Sequence, residues 1–170
     1  MKKIALTFMS LLLIAGSTLY AQDDKSQRKS PPMTTTGSIG DANITIDYSS
    51  PSVKGRKVYG ELEKFGKIWR AGANEATTIE FSSAVKINGK ELPAGIYAFF
   101  VIPKESGDWT IIFNKEAKQW GAYKYDESKD ALRTEAKTST IDNMEKLTYS
   151  IERNMVNLDW ATTRLSFTIE

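Results

Sequence analysis

Strict alternation of apolar and polar side chains is the feature that most restricts the fold of this chain. It occurs in five short segments: residues 44–48, 77–81, 147–151, 156–160 and 165–169. A period of two places successive side chains on opposite faces of an extended strand, so each segment predicts a strand with one buried face. The alternation therefore predicts an all-β fold.

Two further segments have apolar residues at both odd and even positions: residues 96–102 (IYAFFVI) and 109–113 (WTIIF). This pattern is typical of a central strand that is covered on both faces. The pair Asn88-Gly89 tolerates the positive φ of a type I′ turn and predicts a hairpin between residues 85–87 and 90–92. Together these signals predict an antiparallel two-sheet sandwich, jelly-roll-like or related, with a barrel as the alternative.

Helix signals are weak, and they predict at most one or two short helical turns, within residues 58–65 and 114–120. Residues 22–36 are polar and contain Pro31-Pro32, so we interpret them as a linker that is ordered only near its end. The remaining residues, 37–170, are predicted to form a single sandwich domain without internal repeats.

The amino terminus has the pattern of a signal peptide. Lys2 and Lys3 precede an apolar run over residues 4–16, and small and polar residues follow up to Ala21. The run is short for a membrane anchor, so we predict cleavage after Ala21, no membrane span afterwards, and a secreted or periplasmic protein. Without Lys2 and Lys3, 21 basic residues balance 21 acidic ones. A neutral surface argues against nucleic acid as a partner.

The chain contains neither Cys nor His, which excludes much of enzyme chemistry. Disulfides, thiolate nucleophiles, Ser-His-Asp triads and Cys/His zinc sites are all ruled out. The acidic stretch 126–130 lacks the spacing and the glycine of a calcium loop, and no phosphate-binding loop is present. We therefore predict no metal and no cofactor.

Two polar stretches are the candidates for a ligand site. Residues 69–77 combine a guanidinium, an amide and a carboxylate with small residues, and residues 120–126 combine aromatic rings with polar tips that suit stacking on a sugar. The alternatives are a purely structural loop and an amphipathic strand, respectively. The predicted ligand-binding residues are Trp69, Arg70, Asn74, Glu75, Trp120 and Tyr123. This interpretation depends on both stretches lining one cleft.

Catalysis by a pair of carboxylates is the main enzymatic alternative. Glu75, Glu80, Asp126 and Asp130 lie in or near the two stretches, and glycosidases use two such groups across a cleft. With 21 acidic residues in the chain, however, some pair of this kind is expected by chance. Binding is therefore favoured over catalysis.

Several segments also resemble a known family. They are residues 48–56 (YSSPSVKGR), 66–78 (GKIWRAGANEATT), 92–97 (LPAGIY), 109–115 (WTIIFNK) and 120–126 (WGAYKYD). In order and spacing they resemble the bacterial family known as domain of unknown function 2911, over roughly residues 30–169. The resemblance implies an exported, mostly β protein of Gram-negative bacteria, and it implies no catalytic residues.

The function expected from the sequence is a binding or interaction module of the periplasm or cell surface, with a carbohydrate or another small polar ligand. The alternatives are a carboxylate-dependent hydrolase of the glycosidase type and a structural envelope protein without a small ligand.

Export generates the first testable prediction. When the whole chain is produced in a Gram-negative host, we expect the mature protein to begin at Gln22, because the charged, apolar and small-residue regions precede that position. Intact-mass measurement of the periplasmic, culture and cytosolic fractions checks this. Recovery of the uncut chain from the cytosol alone would contradict it.

Overall fold

The computed structural model describes residues 25–170, so the predicted signal peptide and its cleavage site lie outside the described residues. The described part consists of nine strands and two short 3-10 turns. The strands are β1 (Pro32–Ile39), β2 (Ala42–Ser49), β3 (Thr78–Phe81), β4 (Val85–Ile87), β5 (Lys90–Leu92), β6 (Gly95–Ile102), β7 (Trp109–Asn114), β8 (Asp130–Glu152) and β9 (Met155–Thr168). The prediction of an all-β fold is confirmed.

Seven strands form one antiparallel sheet in the order β1-β2-β3-β6-β7-β8-β9. The hairpin of β4 and β5 forms a separate small sheet, which contacts the end of the chain through a bridge between Ile87 and Ile169. The predicted turn joins β4 to β5: Asn88 has a φ of 48° and Gly89 a φ of 77°, both in the left-handed region that a type I′ turn requires.

The large sheet folds over itself because β8 runs through both of its layers. The first part of β8 pairs with β7, from Asp130 to Ala136. From Lys137 onward β8 pairs with β9, and its register shifts twice, between Thr140 and Met144 and between Met144 and Thr148. Such irregularities let a strand bend from one layer into the next. The result is the sandwich-like arrangement predicted from the sequence, built mostly from one curled sheet.

The main core lies between the two layers and is rich in aromatic rings. Across it, the rings of Tyr48 and Tyr149 lie 4.8 Å apart, and those of Phe99 and Phe167 lie 5.5 Å apart. The inward-facing residues of the five alternating segments are largely buried, as the period of two predicts. In a chain without disulfides, this apolar contact holds the two layers together.

The central strands β6 and β7 are buried on both faces, as their continuous apolar sequence predicts. Tyr97, Phe99 and Val101 of β6 face the main core. On the opposite face, Ala98 and Phe100 of β6 form a second apolar cluster with Ala76 and Ile112, and Tyr125 packs beside it. Segments outside the strands therefore cover the outer face of the sheet.

The structure differs from the sequence prediction at three places. Residues 32–36, assigned to the polar linker, form the first part of β1, which is polar because most of its side chains face solvent. Residues 58–65 and 114–120 contain no helical turn. The two 3-10 turns lie instead at Lys25–Gln27 and Glu127–Lys129. Residues 120–126 form turns rather than an amphipathic strand.

Within residues 25–170, no helix has the length and apolar character needed to cross a membrane.

Burial varies along β6, and this variation predicts a large difference between two substitutions in the strand. Phe99→Ala removes a fully buried ring that packs on Phe113 and Phe167, so we expect the free energy of unfolding to fall by about 3–5 kcal/mol. Ile96 lies on the outer face and is 51% exposed, so Ile96→Ala should cost about 1 kcal/mol or less. Urea denaturation measures both values, and equal losses would contradict this account of the core.

Candidate functional site

The two predicted stretches lie side by side on the outer face of the large sheet. The backbone N–H of Ala76 donates to the carbonyl of Gln119 at 3.0 Å, and the N–H of Gly121 donates to the carbonyl of Asn74 at 3.0 Å. Between these bonds, Glu75 and Trp120 form an antiparallel bridge. These paired backbone segments lie over the second apolar cluster. Their pairing places the Glu75 carboxylate beside the Trp120 indole.

A closed loop, residues 70–77, presents Glu75. The N–H of Thr77 donates to the carbonyl of Arg70 at 3.3 Å and closes the loop. The carbonyl of Ala71 accepts from the hydroxyls of Thr77 at 3.0 Å and Tyr149 at 2.8 Å. These bonds hold Ala71 at a φ of 52°, an uncommon value for alanine.

Close packing beneath this loop requires glycine at position 72. A Cβ at Gly72 would lie 2.8 Å from the Thr77 hydroxyl and 3.2 Å from the carbonyl of Ser49. The loop therefore rests directly on the end of β2, where the N–H of Ala73 also donates to Ser49 at 3.2 Å. This contact aligns the loop with the polar edge of β1 and β2.

A groove of about 530 Å³ opens between the paired stretches and the first two strands. Its walls are partly apolar and partly polar, as in many small-molecule sites. The residues that line it are Lys25, Pro32, Met33, Thr34, Asp47, Tyr48, Ser49, Glu75, Ala76, Thr78, Ala117, Lys118, Gln119 and Trp120.

The carboxylate of Glu75 is paired with two cations from the N-terminal segment, residues 25–31. The ammonium of Lys25 lies 2.9 Å from Oε1, and the Arg28 guanidinium contacts both oxygens, at 3.0 Å from Oε1 and 2.9 Å from Oε2. Burial raises the pKa of Glu75, but hydrogen bonds from Lys25, the backbone and Arg28 outweigh this effect and lower the pKa to about 2. Glu75 is therefore ionised throughout the physiological range.

Backbone contacts fix the same N-terminal segment next to the groove. The side-chain amide of Asn74 donates to the carbonyl of Ser30 at 3.0 Å, and the N–H of Ser50 donates to the carbonyl of Pro31 at 2.9 Å. The guanidinium carbon of Arg28 lies 5.9 Å from the centre of the Trp120 ring, within the range of a cation–π contact.

Gln119 adds a polar group that the sequence analysis did not select. It lines the groove, is only 9% exposed, and donates its amide to the carbonyl of Glu116 at 2.7 Å. Its Oε1 is buried and has no hydrogen-bond partner among the described residues. A buried acceptor without a donor is costly, so this oxygen is an energetic weak point beneath the groove.

Of the six predicted site residues, Glu75 and Trp120 line the groove. Trp69 does not: it is 3% exposed, packs in the main core against Trp160 at 5.7 Å, and donates its indole N–H to the carbonyl of Gly72 at 3.1 Å. Asn74 contributes to the groove indirectly, because its side-chain amide holds the N-terminal segment in place. Trp69 and Asn74 thus shape the loop and are not among the residues that line the groove.

Arg70 and Tyr123 flank Gly121, away from the groove lining. A Cβ at Gly121 would lie 3.2 Å from the Tyr123 ring and 3.3 Å from a terminal nitrogen of Arg70. Tyr123 is 84% exposed. The Nε of Arg70 is buried and lacks a hydrogen-bond partner within residues 25–170. Neither side chain is among the residues that line the groove.

The other predicted carboxylates are also absent from the groove lining. Glu80 is exposed on β3, and Asp126 accepts from the N–H of Ser128 at 2.9 Å, where it caps a 3-10 turn. Asp130 accepts from the Tyr125 hydroxyl at 2.7 Å in a structural network. The second carboxylate of the groove is Asp47, which lies on the exposed face of β2.

A separate group of ionisable side chains lies outside the groove. Burial raises the pKa of Glu63 to about 7, although Arg70 and Arg56 oppose this shift. Burial also raises the pKa of Tyr59, and the nearby carboxylates of Glu63 and Asp159 add to the effect. Within the described part of the chain, no group of three or more acidic side chains is arranged to hold a metal ion.

The described residues of this cysteine-free chain form an all-β fold whose curled sheet carries a loop-built groove on its outer face. The family model described as "Protein of unknown function (DUF2911)" matches residues 30–169. The chain therefore belongs to this family, and the resemblance noted in the sequence is confirmed. No curated protein and no solved structure matches the chain.

The low pKa of Glu75 predicts a pH-dependent contribution to stability. Since the folded-state pKa, about 2, lies below the ordinary value of 4.5, the contribution is present above pH 4.5 and is lost as the pH falls towards 2. Glu75 is 40% exposed, so screening limits the effect to about 1 kcal/mol. Urea denaturation should show Glu75→Gln less stable than the wild type at pH 7, with the difference reduced at pH 3.

The control for this prediction is Glu80→Gln, which removes an exposed carboxylate from β3. We expect its stability to differ little from that of the wild type at pH 7. A Glu75→Gln variant that matches Glu80→Gln at both pH values would show that the ion pairs contribute nothing measurable.

Proposed function

We propose that this chain is an exported ligand-binding protein of the bacterial envelope, and that its groove takes a small polar ligand, with a carbohydrate ring as the leading class. The observation that carries the proposal is the meeting of Glu75 and Trp120 from two distant stretches at one groove. The signal pattern of residues 1–21 supports export.

The chemistry of the groove suits a ring that carries hydroxyl groups. Trp120 is 54% exposed and offers an indole face for stacking. Glu75 and Asp47 provide carboxylate acceptors. A volume of about 530 Å³ lies within the usual range of small-molecule sites.

Catalysis receives less support than binding. A glycosidase requires one carboxyl group that is protonated near neutral pH. Glu75 has the opposite property, because Lys25 and Arg28 lower its pKa to about 2. Glu63 has a raised pKa, but it is absent from the groove lining.

Two aromatic residues in one segment provide a matched test of the groove. Trp120→Ala removes the exposed indole at the groove, and we expect it to weaken ligand binding at least about tenfold. Tyr123→Ala removes a more exposed ring outside the groove lining and should leave binding unchanged. Glycan arrays and thermal-shift screens identify the ligand, and isothermal titration measures both variants.

The folded state of each variant is checked by its urea midpoint before binding is compared. Equal losses for Trp120→Ala and Tyr123→Ala would place the site elsewhere on this surface. Absence of any ligand in the glycan and small-molecule screens of the wild type would favour a structural envelope protein.

A further inference from the structure

Two carboxylates, those of Glu75 and Asp47, lie with the Trp120 ring at the groove, and Lys25 and Lys118 are the basic residues of its lining. Glu75 presents an ionised carboxylate. The Trp120 ring adds the negative face of a π system. A carboxylate beside an indole face suits a group that donates hydrogen bonds and carries positive charge.

In the folded chain, an arginine already makes this kind of contact. The Arg28 guanidinium contacts both oxygens of Glu75, at 3.0 and 2.9 Å, and lies 5.9 Å from the centre of the Trp120 ring. A carboxylate on one side and an indole face on the other is a geometry that recognises guanidinium or ammonium groups. Arg28 therefore shows directly which chemical group this pair accepts.

We propose that Glu75 and Trp120 form a recognition site for an ammonium or guanidinium group of the ligand, and that Arg28 occupies this site in the free protein. This inference rests on the proposed function and names the charge of the ligand that the groove selects. An amino sugar or an arginine side chain would provide the group.

The ion pair between Arg28 and Glu75 is one that a ligand could replace. The side chain of Glu75 is 40% exposed and that of Arg28 is 22% exposed, so solvent screens the pair and weakens it. The groove remains open beside them, with Lys25 on its rim and paired to Oε1 of Glu75. A ligand cation would thus compete with Arg28 for Oε2 and the indole face, while Lys25 keeps its contact.

Two pairs of probes isolate the effect of charge. Arginine amide and citrulline amide have nearly the same shape, but only the first carries a guanidinium group. Glucosamine and N-acetylglucosamine share a ring, but only the first carries an ammonium group. Titration of the mature protein at low salt should show the cationic member of at least one pair binding about fivefold tighter or more, and the responding pair identifies the source of the group.

Arg28→Gln removes the internal competitor and should tighten binding of the cationic probe up to about fivefold, which corresponds to the strength of an exposed ion pair. Lys29→Gln is the matched control, because it removes the same charge from a neighbouring exposed position and should change affinity less than twofold. Glu75→Gln should abolish the preference for the cationic probe.

The inference is overturned if both members of each pair bind equally, or if Arg28→Gln affects the cationic probe no more than Lys29→Gln does. If a neutral glycan then binds the wild type but not Trp120→Ala, the proposed function is kept and only the preference for a cationic group is rejected. If neither the probes nor the glycan screen gives binding to the wild type or to Arg28→Gln, the proposed function fails as well.

Discussion

The burial of β6 on both faces is the constraint on which the rest of the structure depends. Its inner face completes the main core, and its outer face leaves Ala98 and Phe100 to be covered. Water contact with this second apolar surface would be unfavourable, so chain segments must lie over it. The two segments that do so bind each other through backbone hydrogen bonds and thereby place Glu75 beside Trp120. The site thus follows from the need to cover the sheet.

Much of the fold could be predicted because it depends on local patterns. The alternation of Ile44 and Ile46 with polar neighbours, the continuous apolar run of β6 and the turn at Asn88-Gly89 each specify their own conformation. The start of β1 could not be found in this way, because an exposed polar strand has the composition of a linker. The bend of β8 depends on register shifts against a distant strand, which periodicity does not reveal.

Composition selected residues 69–77 and 120–126 as candidates, and the structure brings Glu75 and Trp120 of these two stretches together. It did not indicate which side chains line the groove. Composition gave no sign that Trp69 would be core or that Arg70 would lie beside Gly121, since both outcomes depend on how the loop packs on β2. Lys25 and Arg28 were missed for a related reason: a polar stretch with no apolar pattern gives no hint that its charges pair with Glu75.

Strand order in the large sheet has a consequence for how this chain reaches its native state. Three of the six pairings in this sheet, β1-β2, β6-β7 and β8-β9, join strands that follow each other directly across short turns, and these close at low entropic cost. The opposite layer, however, comes from the end of β8 and from β9. Until the end of β8 and β9 are available, the rings of β6 and β7 have no partner layer. A chain that emerges from its amino terminus therefore exposes these rings until its last two strands follow, and during that interval they are open to contact with other proteins.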